Sequence, residues 1–385
     1  MSGFRGASRM SAAGLRRATG PEPGASAPRA TIACIPFPIR ASDGGAMTKS
    51  RSPSAPLTIT VRSALDLSPE ELAGWEAILA DEPVYASPFF TPGYVRLVAQ
   101  CVDGVMVGLI WENGALVGVF PYELEGPGKA RPVGSVFCDY QAVIARRRVD
   151  WTVEGLLAGL GLEQWRFDHL LAVQTPFAPY IQRRDVSWSI DLSQGFAVYD
   201  TWLRDGKHRP VAETRRKLRM MERELGPVTF DAHVGDHDLL DGLLARKSAQ
   251  WARSGWPGRF STYWEHRLMH RLLDTQTPGF AGMLSVLRAA GRPLAMHIGM
   301  RSRAVWHYWT TVYDDGFARY SPGNVMLVEM IKAAPGLGLH EIDLGKEDFE
   351  YKRRLHTHVV PVVEGVLSTA APSRSLVVPA EFGVS

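Results

Sequence analysis

The sequence has few cysteines, no long apolar run and none of the short signatures of nucleotide-dependent enzymes. The three cysteines, Cys34, Cys101 and Cys138, are widely spaced and form no CxxC pair. That excludes a disulfide framework and a cysteine zinc site, and a reducing cytoplasm is the expected compartment. No apolar stretch approaches the roughly 20 residues that cross a bilayer, so no membrane span is expected. There is no P-loop, no dinucleotide fingerprint and no nucleophile elbow, which argues against kinase, dehydrogenase and serine-hydrolase chemistry.

What is present is an ordinary globular composition, 45% hydrophobic and 22% charged over 385 residues, long enough for two domains. The net charge of +3 is unevenly placed: residues 1–56 hold eight Lys or Arg and two acids, a net of +6, leaving about −3 for the rest. The basic balance belongs to the tail, so the body offers no electrostatic reason to bind DNA. Residues 1–56 are rich in Gly, Ala, Ser, Pro and Arg, a composition expected to stay disordered. Met47 is the preferred translation start, with residues 1–46 upstream of it. Residues 371–385 read as a loose tail.

Between these ends the chain alternates strand and helix signals. Leu57–Val61 reads as a strand, and Ser68-Pro69 starts a helix, with Ser68 as N-cap. A second helix covers Gly93–Gln100. Val105–Trp111 and Leu116–Leu124 flank Asn113-Gly114, a strong hairpin signal. Ser135–Ile144 reads as a strand, Val153–Gly159 as a helix and Trp165–Val173 as a strand. The order then repeats: a helix to Leu273, a hairpin of Met283–Arg288 and Leu294–Met300 around Gly291, then strand, helix and strand. Asp139 and Asp314, and Asp168 and Asp343, match at an offset of 175, while Gly114 and Gly291 lie 177 apart. Two copies of one α/β unit are the expected architecture, residues 57–200 and 201–370. Between them, Arg204–Leu225 reads as an amphipathic helix whose cationic face carries Arg215, Arg216 and Arg219. That face is either solvated and paired with acids or turned to an anion.

The C-terminal unit centres on Ala304–Arg354. The aromatic strand Val305–Val312 is broken at Asp314-Asp315-Gly316, and Ser321-Pro322-Gly323-Asn324 then opens a helix at Val325. Ser is a capping residue, Pro suits the first turn and Gly admits close backbone approach. Free N–H groups and the helix dipole favour an anion there, although an ordinary capped helix shows the same pattern. A strand is expected over Leu337–Leu344, before Tyr351-Lys352-Arg353-Arg354.

Ser321-Pro322-Gly323, the apolar helix after it, Asp343-Leu344-Gly345 and Tyr351-Lys352 resemble the C-terminal signature of the GNAT-superfamily acyltransferases. The likeness is to the BioF2-like branch, which includes proteins named CelD for cellulose biosynthesis and is similar to FemAB-type aminoacyl transferases. It extends over about residues 57–370. Where that family shows a second Gly and an acidic residue, this chain reads Lys346-Glu347-Asp348-Phe349-Glu350. The resemblance implies an α/β (α+β) fold of tandem GNAT-like, acyl-CoA N-acyltransferase domains with mixed central sheets. It also implies acyl-CoA, such as acetyl-CoA, as co-substrate.

Acyl transfer needs a base, a polarised carbonyl and a held donor. Asp343 and Glu347 are the candidate bases, at a strand end and in the loop after it. His307 lies in the strand leading to the anion loop, and Tyr351 is placed to protonate a leaving thiolate. Ser321, Gly323, Asn324, Val325, Lys352, Arg215 and Arg216 are the candidate donor-binding residues. Each has a plainer role as cap, ion pair or packing residue. His356 and His358 share a strand face but lack a third ligand, so no metal is expected. The expected activity moves an acyl group from acyl-CoA to an amine or hydroxyl of a small molecule or glycan precursor. Polysaccharide or cell-envelope synthesis is the expected setting, with peripheral contact to an envelope-synthesis complex. Two alternatives are an aminoacyl-tRNA-dependent transferase, against which the acidic body argues, and a non-catalytic partner of such a complex.

Overall fold

The computed structural model describes residues 56–206, 210–253, 260 and 262–368. The expectations for residues 1–46, Met47 and the 371–385 tail lie outside them. The first half runs β1 (Thr58–Ser63), α1 (Pro69–Asp81), α2 (Pro92–Ala99), β2 (Val105–Glu112), β3 (Ala115–Gly126), β4 (Lys129–Arg131), β5 (Ile144–Ala145), α3 (Val153–Leu160), β6 (Gln164–Leu171) and β7 (Ile181–Asp191). The second runs α4 (Phe196–Asp205), α5 (Pro210–Leu225), β8 (Val228–Asp231), α6 (His237–Arg253), α7 (Tyr263–Asp274), β9 (Ala281–Ala289), β10 (Arg292–Arg301), β11 (Val305–Tyr313), α8 (Pro322–Ala333), β12 (Glu341–Gly345), α9 (Glu350–Leu355) and β13 (His358–Ser368). Among the described residues no helix is long and apolar enough to cross a membrane.

Local chemistry accounts for many of these boundaries. Ser68 and Glu71 form a reciprocal capping box at the start of α1. Asn113 and Gly114 both take positive φ, 52° and 79°, as a two-residue hairpin of this type demands. Ala290 and Gly291 do the same in the second hairpin, at 46° and 79°.

The expected pair of sheets is one mixed sheet, in the order β1-β2-β3-β4-β6-β13-β7-β12-β11-β10-β9-β8. This order reads the same from either end: β1 answers β8, β2 answers β9, β3 answers β10, β4 answers β11 and β6 answers β12. The last strand of each half is exchanged. β7 pairs with β12 of the second half, β13 pairs with β6 of the first, and β7 and β13 pair with each other. The pairing Gln164↔Ser368 maps onto Glu341↔Asp191 by a shift of 177 (341 − 164 and 368 − 191). The spacing of the hairpin glycines is therefore the structural one. At 177, Asp168 corresponds to Gly345 and not to Asp343.

Strand alternation divides the core. On β9, Leu284 and Val286 enter a cluster shared by both halves, which includes Trp75, Tyr94, Leu268 and Phe280. Met283 and Leu287 enter another, with Met326, Met330, Tyr199 and Met221. A third cluster joins Leu156, Leu157 and Leu160 of α3 to Trp165 and to Val363 and Leu367 of the exchanged strand β13. At the seam, a Cβ on Gly93 would lie 2.6 Å from that of Phe280, so α2 approaches β9 only because position 93 lacks a side chain.

Three expected elements differ. Ser135–Ile144 is a short 3₁₀ turn, Ser135–Phe137, and irregular chain leading to β5. Gln141 pins it to β6: its side chain donates to Asp168 Oδ1 at 2.6 Å and accepts from the N–H groups of Asp168 and His169, and its backbone makes a single parallel bridge to Leu170. The Leu337–Leu344 strand shrinks to β12, because Ala334–Leu337 is 3₁₀ and Gly338 is left-handed. Tyr351–Arg354 lies in α9, and the expected pairing of His356 and His358 on a strand fails with it. His356 ends that helix with Nδ1 on the carbonyls of Lys352 and Arg353, while His358 opens β13.

Candidate active site

β11 and β12 pair in parallel over only three residues, Val305↔Glu341 to His307↔Asp343. β11 continues to Tyr313, whereas β12 ends at Gly345, whose φ of 76° turns the chain away. The strands part, and a cavity of about 670 Å³ fills the gap. Tyr308 to Thr311 of β11 line it, with Leu344 and Gly345 of β12, and Gly323, Asn324 and Leu327 from the start of α8. Asp139, Lys247, Glu347, Tyr351 and Lys352 complete its polar lining.

His307, fully buried, marks the point where the strands part. Its Nδ1 lies 2.9 Å from Asp343 Oδ2, and its Nε2 lies 2.9 Å from Asp139 Oδ2. Burial alone would favour the neutral ring. The Asp343 charge, the hydrogen bonds to Asp139 and Asp343, and the Asp139 charge overcome it and raise the pKa to about 9. The ring is thus an imidazolium donating from both nitrogens at neutral pH. Asp343 is also buried, and its other oxygen accepts from Ser187 Oγ at 3.0 Å and from the Gly345 N–H at 2.9 Å. Burial also works against the Asp139 charge, but the hydrogen bond and charge of His307 outweigh it and hold this carboxyl below its ordinary range. Asp139 alone of the three lines the cavity, with 22% of its side chain exposed.

His297 behaves oppositely. Burial, with the neighbouring His307 charge, pushes it down to about 3, so it is neutral. Its Nε2 accepts the Trp309 N–H at 3.1 Å and its ring stacks on Tyr308 at 4.9 Å, fixing the cavity wall. Gly299 lies at a bulge between β10 and β11, where a Cβ would come within 2.2 Å of the His307 carbonyl.

The remaining candidates divide. Lys352 is buried, donates to the carbonyls of Gly345 and Lys346 at 3.2 and 3.4 Å, and pairs with Glu347 at 3.5 Å. Burial lowers its pKa. Glu347 is largely exposed, so the buried carboxylates of the site are Asp343 and, at its edge, Asp139. Tyr351 lines the cavity, and burial raises its pKa. Ser321, the N-cap of α8, is itself left-handed (φ 51°) and makes no side-chain cap bond, contrary to expectation. Gly323 is helical, and a Cβ there would meet only Tyr313 Cδ1, at 3.6 Å. A second cavity of about 120 Å³ is lined by Ser321, Asn324, Val325, Tyr351, Arg216 and Lys217. Arg216 thus reaches the start of α8, while Arg215 pairs instead with Asp200 at 3.5 Å.

Sequence reasoning missed Asp139, Ser187 and Lys247 as site residues. Asp139 and Ser187 come from the first half, through the Gln141-held loop and the exchanged strand β7. Neither carries a local signal. In the sequence Asp139 stands out only as a repeat match to Asp314.

Residues 207–353 match the family model of the acetyltransferase (GNAT) domain. The match lies within the second half, and the mirrored strand order makes the first half its structural counterpart. Among solved structures, FemX is similar in fold: 11% identity, 77% of this chain and 94% of that chain covered, TM-score 0.50. A tandem GNAT protein from the clavulanic acid biosynthesis pathway aligns at 11% identity over 83% of this chain and all of its own, with a TM-score of 0.47. No curated protein matches the sequence significantly.

Proposed function

We propose that this chain is an acyltransferase that moves an acyl group from acyl-CoA, such as acetyl-CoA, to an amine or hydroxyl. The acceptor we assign is a small molecule or glycan precursor of polysaccharide or envelope synthesis, as in the BioF2-like branch. The observation that carries the reading is the parting of β11 and β12 in front of the first turn of α8, within the GNAT-matched segment. An extended thioester arm fits between parted strands, and its pyrophosphate fits the N–H groups of Gly323 and Asn324 in the first turn of α8. The backbone there is unobstructed at Gly323, and Arg216 and Lys217 flank it.

In this reading Asp139 receives the proton of the attacking amine or hydroxyl. His307 keeps it ionised and oriented, and Asp343 and Ser187 hold His307. Lys352 polarises the acyl carbonyl. As the new bond to carbon forms and the C–S bond breaks, the Tyr351 hydroxyl protonates the leaving thiolate. The FemX-like fold keeps an aminoacyl-tRNA donor as a second reading; it predicts binding that collapses steeply with salt. A non-catalytic partner would bind donor without turnover.

Calorimetric titration of CoA tests the donor site. Gly323→Val should weaken binding by a factor on the order of a hundred, from losing charge-assisted hydrogen bonds of roughly 1.5–3 kcal/mol each. Tyr351→Phe should bind normally and turn over slowly. Wild-type affinity in Gly323→Val removes the donor from α8.

A further inference from the structure

The packed helices α6 and α7 carry five metal-ligand side chains in two facing stripes, outside the cavity lining described above. His237 and Asp241 are four apart on α6; His266, His270 and Asp274 are successively four apart on α7. Spacing by four places each set along one side of its helix. One ligand atom each of Asp241, His266 and His270 lies within 4.8 Å of the others.

The polar contacts of this cluster form a chain. Asp241 Oδ1 faces His270 Nε2 at 2.8 Å, His270 Nδ1 faces His237 Nδ1 at 2.7 Å, and His237 Nε2 faces Asp274 Oδ1 at 2.8 Å. With the His237 hydrogen on Nε2, toward Asp274, and the His270 hydrogen on Nδ1, toward His237, His270 Nε2 is the ring nitrogen turned to Asp241. His270 Nε2 and the Asp241 carboxylate are then two ligand atoms on one side of the cluster, and His266 lies beside them, its ring 6.5 Å from that of His270.

We infer that His266, His270 and Asp241 bind a divalent transition metal, Zn²⁺ being the best fit to two imidazoles and a carboxylate. Ligand distances of about 2.0–2.2 Å set the ligand atoms about 3.3 Å apart, so the Asp241–His270 pair, now at 2.8 Å, must open slightly while His266 closes on it, which rotation of partly exposed groups allows. His237 is a positioning residue: it accepts the Nδ1–H of His270 and is held in turn by Asp274, the usual outer support of a metal-bound histidine. The ion would clamp the start of α6 to the middle of α7. α6 then runs on to Lys247 and Trp251 at the cavity wall.

The test uses tag-free full-length protein, with Zn²⁺ followed by calorimetry and Co²⁺ by its visible absorption. One Zn²⁺ per chain is expected, with a rise in melting temperature and an intense tetrahedral-type Co²⁺ spectrum. His266→Gln and Asp241→Asn should abolish both signals while keeping the circular dichroism of the metal-free protein. His237→Asn should weaken Zn²⁺ ten- to a hundredfold without removing the spectrum. Absence of stoichiometric Zn²⁺ in the wild type, or undiminished binding in His266→Gln and Asp241→Asn, overturns the inference.

Discussion

The two halves of the sheet are built on one plan and hold opposite chemistry at matching positions. A shift of 177 carries the pairing Arg166↔Val366 onto Asp343↔Ser189. Within one residue it also carries Glu123↔Arg131 onto Met300↔His307. Where the second half buries His307 against Asp343, the first holds Arg131 and Arg166, half-exposed and bridged by Glu125 on the rim of the sheet. Where the second half opens a cavity of about 670 Å³, the first leaves about 20 Å³ among Phe90, Tyr140 and Trp165. Its loop between β4 and α3 sends Asp139 across the seam instead. One copy holds the candidate site, and the other has become its wall and supplies one of its carboxylates.

The largest expected effect comes from removing a buried charge on one side only. Asp343→Ala leaves the imidazolium of His307 with one partner inside the fold and should cost roughly 3–5 kcal/mol in urea unfolding. Arg166→Ala, its counterpart, should cost less than about 1 kcal/mol, as exposed ion pairs do. Similar losses at both positions would erase the distinction between the halves.

Asp139→Asn comes next, and it separates chemistry from folding. Turnover with an amine acceptor should fall by roughly 10²–10⁴, the range of general-base catalysis, with CoA affinity kept. Retained turnover would leave the first half as scaffold alone.

A pH series addresses His307. Its pKa is raised from an unfolded value near 6.5 to about 9. The stability it adds is therefore full below about pH 6.5, declines as pH rises, and is gone above about 9. The difference in melting temperature between wild type and His307→Gln should shrink from pH 6.5 to 9.5. A gap independent of pH would mean the ring is not held as a cation.

The smallest effect concerns α5. Arg216→Glu should weaken CoA several-fold at low salt and hardly at all at high salt, because the contact is partly exposed. Arg215→Glu, directed at Asp200, should leave affinity unchanged. Equal effects would point to a diffuse field in place of a contact at α8.

Local signals marked most elements because their causes are local. Ser68 and Glu71 cap α1, Asn113-Gly114 closes a hairpin, and the β11 alternation and the α8 apolar stripe are periodic in the chain. Ser321-Pro322-Gly323 was legible as a helix start for the same reason, although its conformation was not: that Ser321 is left-handed and Gly323 ordinary depends on how the preceding 3₁₀ turn enters α8. Arg215 and Arg216 are neighbours on one face, and only packing against α4 and α8 separates their partners.

The sequence by itself determined the repeated order of elements, the hairpin glycines 177 apart, and the candidates His307, Asp343, Tyr351 and Lys352. Each is written in periodicity, turn chemistry or a short motif. The tertiary structure decided that the two units form one sheet by exchanging β7 and β13, and that Asp139 and Ser187 meet His307 and Asp343. Those contacts join residues more than 150 positions apart. No local propensity encodes such a meeting. It follows from strand registers across the whole sheet, which only the folded chain brings together.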